Sequence, residues 1–227
     1  MSARQRGVFQ PFTQHTERDV SQRHLPHWTR PGSSYFVTFR LVDSLPQALL
    51  ERWKSEREVW LSARGVRHQS ELSDVDLREY HKHFTQRMET WFDQGMGSCI
   101  LARPEAGEIV EGALRFFDDK RCMLDEFIVM PNHVHVLVLP FDEWTLSKLL
   151  HSWKLHTALE INKLTGSEGT LWFDESYDHI VRSWEQLEIY RRYIRENPVK
   201  ANLTSDRFRL GKGSGIKPPI INEHPKK

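Results

Sequence analysis

Two histidines separated by a single valine, in Pro131-Asn132-His133-Val134-His135-Val136-Leu137-Val138, are the residues whose types and spacing most clearly suit chemistry. On a β-strand, side chains i and i+2 share a face. His133 and His135 therefore present two imidazoles together, while Val134, Val136 and Val138 take the opposite face. Neutral imidazole is the commonest protein metal ligand. Tyr193 and Asn197 form a second pair, four residues apart in a helical pattern and so on one helix face. Two imidazoles and one amide oxygen leave an octahedral divalent cation with positions open to phosphate oxygens and water. A tyrosine hydroxyl one helical turn from the amide lies within reach of that phosphorus. Free tyrosine has a pKa of about 10, so a nearby cation is a reasonable way to favour the phenolate. The chemistry is attack on a phosphodiester to give a covalent phosphotyrosine, a transesterification that conserves the bond energy for rejoining.

Each half of this set also has a plainer reading. A His-x-His pair can be two satisfied histidines in a sheet, a tyrosine on an amphipathic helix can mark the edge of a core, and Asn before Pro is an ordinary helix stop. Tyr177, in Glu175-Ser176-Tyr177-Asp178-His179, is the competing nucleophile, but its i+4 residue is Val181 rather than an amide. His81 and His83 share the i, i+2 spacing but fall in a helical pattern, where such residues do not face each other.

The elements that must position these residues follow from pattern. Ser34 to Val42 is aromatic and β-branched, a first strand. Leu45-Pro46 opens a helix to about Ala63, and Ser73-Asp74 caps a second from about Val75 to Phe92, ended by Gly95 and Gly97. Ala106 to Asp118 is amphipathic, with Ile109, Val110, Ala113, Leu114 and Phe117 toward a core. Cys122 to Met130 and His133 to Leu139 form two strands joined tightly by Pro131-Asn132. Leu146 to Leu164 is a helix stopped by Thr165-Gly166, Asp178 to Val181 a possible strand. Ser183 caps a final helix from Trp184 to about Glu196, ended by Asn197-Pro198. The order predicts an α+β fold with a ferredoxin-like antiparallel sheet core of βαββαβ type, an inserted helical pair, and a C-terminal helix bearing the nucleophile. Three regions are expected: an extended basic arm at 1–32, the catalytic domain at 33–205 with the helical insertion at about 46–97, and a flexible basic tail at 206–227.

With 227 residues the chain can bury one sizeable core. Its net charge of +1 gives no global basic field. The charge is unevenly placed: residues 182–227 carry 11 Lys and Arg against 5 acids, and residues 1–30 carry 5 Arg against 2 acids. Both ends are candidates for phosphate contact. Arg182, Arg191, Arg192, Arg195 and Lys200 are the candidate phosphate-binding cations, since the guanidinium fork suits phosphate. His179 is a candidate shuttle or DNA contact. Trp28, Tyr35 and Trp172 could stack on unpaired bases, or simply pack in the core. Cys99 and Cys122 make neither a disulfide framework nor a thiolate cluster. No apolar run is long enough for a membrane span and no signal peptide is evident, so a cytoplasmic protein is expected.

The segments YFVTFRL, FIVMPNHVHVLV and LWFDESYDHIVRSWEQLEIYRRYIRENPVKANL resemble the HUH single-tyrosine transposases of insertion sequences, and among them the REP-associated tyrosine transposases. The resemblance spans roughly residues 24–205, with histidine pair, tyrosine helix and Asn-Pro-Val-Lys stop in the family's order and spacing. It implies that His133 and His135 bind Mg²⁺ or Mn²⁺ with Asn197 as third ligand, and that Tyr193 is the nucleophile. It further implies single-stranded DNA hairpins of repetitive palindromic elements as partners, cleavage to a 5′-phosphotyrosine and free 3′-hydroxyl, and action as a monomer or homodimer. Two other readings stay open: a non-catalytic DNA-binding regulator derived from a transposase, and a metallophosphoesterase using activated water. The second has less support, because no Asp or Glu cluster accompanies the histidines.

Overall fold

A computed structural model of the chain describes residues 7–10, 19–22, 26–29, 32–68, 71–141 and 143–219. Most of the expected N-terminal arm, and residues 220–227 of the expected tail, lie outside the described residues. In the arm, β1 (Asp19–Gln22) and β2 (Pro26–Thr29) pair antiparallel with each other.

The sheet that matters holds β3 (Tyr35–Arg40), β4 (Cys122–Val129), β5 (His133–Pro140), β6 (Tyr177–Ile180) and β7 (Arg209–Lys212) in the order β6-β3-β5-β4-β7, all neighbours antiparallel. The first four strands, with the helices between β3 and β4 and between β5 and β6, form the expected βαββαβ core. β7 adds a fifth strand where the sequence suggested a flexible tail. Residues 206–219 are thus partly fold: Ile216 is buried, and Val8 bridges Lys217 in parallel, with Phe9 N donating to Lys217 O at 2.9 Å. The short, Gly-rich RLGK stretch carries little strand signal of its own. Tertiary pairing with β4 decides its conformation, and Gly211 is required because a side chain there would collide with the Phe127 ring.

Two helices cover one face. Helix α4 (Pro104–Phe116) leads into β4, and α5 (Leu146–Thr165) joins β5 to β6. Against them pack Val37 and Phe39 of β3, Leu124, Phe127 and Val129 of β4, and Val134, Val136 and Val138 of β5. Gly166 ends α5 in the left-handed conformation at φ 66°, as C-terminal glycines do. The other face, with Phe36, Ile128, Met130 and Leu137, is covered by α6 (Trp184–Lys200) through Leu187 and Ile194.

The insertion comprises α1 (Gln47–Ser62), α2 (Asp74–Tyr80), a π-helical turn at His81–Thr85, and α3 (Gln86–Asp93). The second expected helix is therefore interrupted by the π turn. Leu61, Tyr80 and Phe84 form a small core of their own, with Trp53 and Trp60 packed against it and Arg57 Nε donating to Tyr80 Oη at 2.6 Å. Among the described residues, no helix is long and apolar enough to cross a membrane.

Candidate metal and tyrosine site

The hairpin between β4 and β5 places the histidines. Pro131-Asn132 is its two-residue loop, closed by Met130 N donating to His133 O at 2.8 Å. The loop is also held from outside: Leu41 N donates to Asn132 O at 2.9 Å and Leu101 N to Pro131 O at 3.1 Å. On β5 the alternation does what was expected. Val134, Val136 and Val138 enter the α4–α5 core, and His133 and His135 point to the α6 face. Both imidazoles are buried, and their Nε2 atoms lie 3.0 Å apart.

Each Nδ1 has a partner. His133 Nδ1 is 2.7 Å from Asn132 Oδ1, and His135 Nδ1 is 2.7 Å from Thr38 Oγ1. Thr38 reaches His135 because β3 and β5 pair with those two residues directly opposite. Such outer partners orient metal-binding imidazoles and fix their tautomers. Burial pushes the His133 pKa down to about 3 and holds His135 well below its ordinary value, with the neighbouring His133 adding to the effect on His135. Both rings are neutral, the form that donates a lone pair.

Helix α6 brings the second pair. Ser183 caps it, its side chain accepting from Gln186 N at 3.1 Å. The Tyr193 ring stands edge-on to His135, centroids 5.3 Å apart, and edge-on to Phe36 at 5.7 Å. Asn197 is fully buried, with Nδ2 3.5 Å from His135 Nε2 and Oδ1 without a hydrogen-bond partner. The expected helix end at Asn197-Pro198 is corrected: α6 runs on to Lys200. Pro198 removes one helical N–H, but Ala201 N, Leu203 N and Asn202 N donate to the carbonyls of Asn197, Pro198 and Val199 at 2.9–3.0 Å. Asn197 thus projects from inside a continuous helix.

The helix is tied down by charge. A β-bulge between Leu124 and Phe127 breaks the alternation of β4, so that Asp125 and Glu126 both engage α6. Arg191 Nε donates to the buried Asp125 at 3.0 Å, and the same guanidinium donates to Ile216 O at 2.9 Å and Glu188 at 2.7 Å. Arg195 lies 3.3 Å from Glu126. Desolvation dominates at Asp125 and raises its pKa, although Arg191 opposes it. Arg191, expected as a DNA contact, is therefore a helix-to-sheet tie with only 11% of its side chain exposed.

The remaining candidates divide by exposure. Arg182, Arg192, Arg195 and Lys200 are exposed, and Lys200 Nζ lies 5.4 Å from the Tyr193 ring centroid while pairing with Glu196. His179 is half-buried on β6 beside Tyr177, ring centroids 4.5 Å apart. Tyr177 pairs with Thr38 on the sheet, one strand further from His135 than Thr38 itself. Tyr35 and Trp172 are buried in the core, and the side chain of Trp28 lies outside the described residues.

Sequence reasoning missed Thr38 and Arg40. Both lie on the histidine face, opposite His135 and His133 in the β3–β5 register. Arg40 is buried, stacks over Phe173 at 3.7 Å and donates to Ser44 Oγ at 3.0 Å. Burial lowers its pKa to about 10, with Glu175 opposing. The alternation of Tyr35-Phe36-Val37-Thr38-Phe39-Arg40 already set these two on one face; the missing information was which strand lay opposite.

The donors present fit a divalent cation. Ligands 2.0–2.1 Å from an octahedral ion and at right angles are about 3 Å apart, which is the observed Nε2–Nε2 separation. The unpartnered, buried Asn197 Oδ1 is the third donor available. Among the described residues no group of three or more His, Cys, Asp or Glu side chains gathers to hold a metal; the donor atoms available here are the two imidazole nitrogens and the amide oxygen.

Residues 101–197 match the family model of IS200-like transposases. No curated protein matches the chain. A solved structure described as the REP-associated tyrosine transposase bound to a REP hairpin aligns with a TM-score of 0.45 and 14% identity, covering 81% of this chain and 75% of that one. The matched segment contains His133, His135, Tyr193 and Asn197, the four residues that the fold brings together. Over residues 101–197, which hold all four, the chain is similar to the IS200-like transposase family.

Proposed function

We propose that the protein is a metal-dependent single-stranded DNA endonuclease and strand transferase, acting at DNA hairpins through a 5′-phosphotyrosine. One observation carries this reading: a half-buried tyrosine lies against a buried pair of neutral imidazoles whose Nε2 atoms are 3.0 Å apart, with an unpartnered amide oxygen on the same helix. His133, His135 and Asn197 hold Mg²⁺ or Mn²⁺, which when bound supplies Lewis acidity and favours the phenolate. Tyr193 Oη forms a bond to phosphorus as the bond from phosphorus to the 3′-oxygen breaks. The phenolic proton leaves and the departing oxygen ends as a 3′-hydroxyl. Reversal by another 3′-hydroxyl rejoins DNA, so no external energy source is required.

Arg182, Arg192, Arg195, Lys200 and His179 are the proposed DNA contacts. The hairpin form of the substrate, in repetitive palindromic elements, is the partner that the REP-associated resemblance points to. The acting unit is a monomer or a homodimer, in the cytoplasm with the nucleoid.

The test is a denaturing gel of the protein with labelled hairpin DNA from around its own gene, with Mn²⁺ or with EDTA. A metal-dependent covalent band is expected, lost in Tyr193→Phe while hairpin binding persists. Binding without an adduct under any metal would replace this reading with a DNA-binding regulator. Cleavage without an adduct would make water the nucleophile.

A further inference from the structure

We infer that Asn132 and Thr38 are positioning residues with unequal tasks: Asn132 fixes His133 as a ready ligand, and Thr38 lets His135 alternate between a metal-free and a ligand form. The inference rests on the metal-dependent reading above.

The asymmetry follows from donors and acceptors. Asn132 Nδ2 donates to Met96 O at 3.1 Å, which turns Oδ1 toward His133 Nδ1. A carbonyl oxygen only accepts. His133 Nδ1 therefore carries the proton, and Nε2 keeps its lone pair in every state of the neutral ring. A threonine hydroxyl can donate or accept, so Thr38 permits His135 either tautomer. When Thr38 donates to His135 Nδ1, the proton sits on His135 Nε2 and bridges 3.0 Å to the bare His133 Nε2. That state satisfies both buried rings without an ion when the Asn197 amide presents its oxygen, and not Nδ2, to His135 Nε2, which lies 3.5 Å from the amide. When Thr38 accepts from Nδ1–H, two lone pairs face each other across 3.0 Å, an arrangement that repels unless a cation joins them.

The change is a proton leaving Nε2 and another arriving at Nδ1, with a rotation of one hydroxyl. No ring has to move, because 3.0 Å serves both the hydrogen bond and the spacing of two ligands on one ion. Thr38 is suited to this place. It lies on β3 directly opposite His135, is buried, and as a β-branched residue has a stiff χ1. The site thus keeps itself satisfied when empty and exposes two lone pairs on demand.

The experiment uses the full chain. Long-range ¹H–¹⁵N imidazole spectra of metal-free protein should show His133 protonated at Nδ1 and His135 at Nε2, and Mg²⁺ should shift the His135 proton to Nδ1. Mn²⁺ affinity, read from the electron paramagnetic resonance of free Mn²⁺, should fall 10- to 100-fold in Thr38→Val, as loss of an outer partner does. Thr38→Ser should recover it. Wild-type affinity in a folded Thr38→Val, or His135 protonated at Nδ1 in the metal-free wild type, would overturn the inference while leaving the proposed function standing. Failure of wild type to bind Mn²⁺, or equal binding by His135→Ala, would overturn both.

Discussion

The imidazoles of His133 and His135 are neutral because they are buried, and this has a sign that can be measured. The folded His133 has a pKa near 3, whereas an unfolded histidine titrates near 6.5. Between these values the unfolded chain binds a proton that the folded ring refuses. Stability is therefore complete above about pH 6.5 and falls as pH drops toward 3, by at most about 1.4 kcal/mol per pH unit for each histidine. Metal-free melting curves from pH 7.5 to 5 should show the loss, and His133→Asn should flatten it. At the same residues, His135→Ala should reduce metal-dependent adduct formation by at least about a thousandfold while hairpin binding survives, as expected where a metal supplies charge stabilisation. Both histidines were legible in the sequence because strand alternation is local. Thr38 was not, since a threonine becomes an imidazole's partner only through the register of a strand about a hundred positions away.

At the scale of elements, α6 is the part on which the site depends, because it carries both Tyr193 and Asn197. Its start was legible in Ser183 and its amphipathic pattern. Its end was not: Pro198 reads as a stop, but the helix runs on past it to Lys200, and the carbonyls of Asn197, Pro198 and Val199 accept from the N–H groups of residues 201–203. The ties at Asp125 and Glu126 were equally hidden, since a bulge, not alternation, directs both acids to one helix. Breaking a buried pair from one side leaves a buried charge without its partner, at about 3–5 kcal/mol. Arg191→Met should therefore lower the unfolding free energy by roughly that amount. Asp125→Leu/Arg191→Met should lose much less than the sum of the single changes, a difference that a double-mutant cycle in urea would read. A simple additive result would remove the tie from this account. Ser183→Ala should cost about 1 kcal/mol through the lost cap, checked by the same melts.

Across the whole molecule, one sheet separates two kinds of surface: α4 and α5 build the apolar core on one side, and α6 closes the chemistry on the other. The βαββαβ order could be read from the succession of patterns, which are set by neighbours in sequence. β7 and the 216–217 segment could not, because their apolar content is low and only distant partners hold them. Deleting residues 209–219 should therefore expose the β4 edge, lower the melting temperature by several degrees and weaken adduct formation. A deletion variant with unchanged stability would return this segment to the status of a tail.

That late segment also sets a schedule. Val8 and Lys217 are bridged across nearly the full length of the chain, and Arg191 takes one of its anchors from Ile216. During synthesis the histidine hairpin emerges first, the tyrosine helix follows, and the strand and carbonyl that brace that helix emerge after both. A nascent chain still on the ribosome therefore holds every reactive group before it holds the platform that aligns them. The alignment of Tyr193 and Asn197 with the two histidines therefore waits until residues 209–217 have emerged.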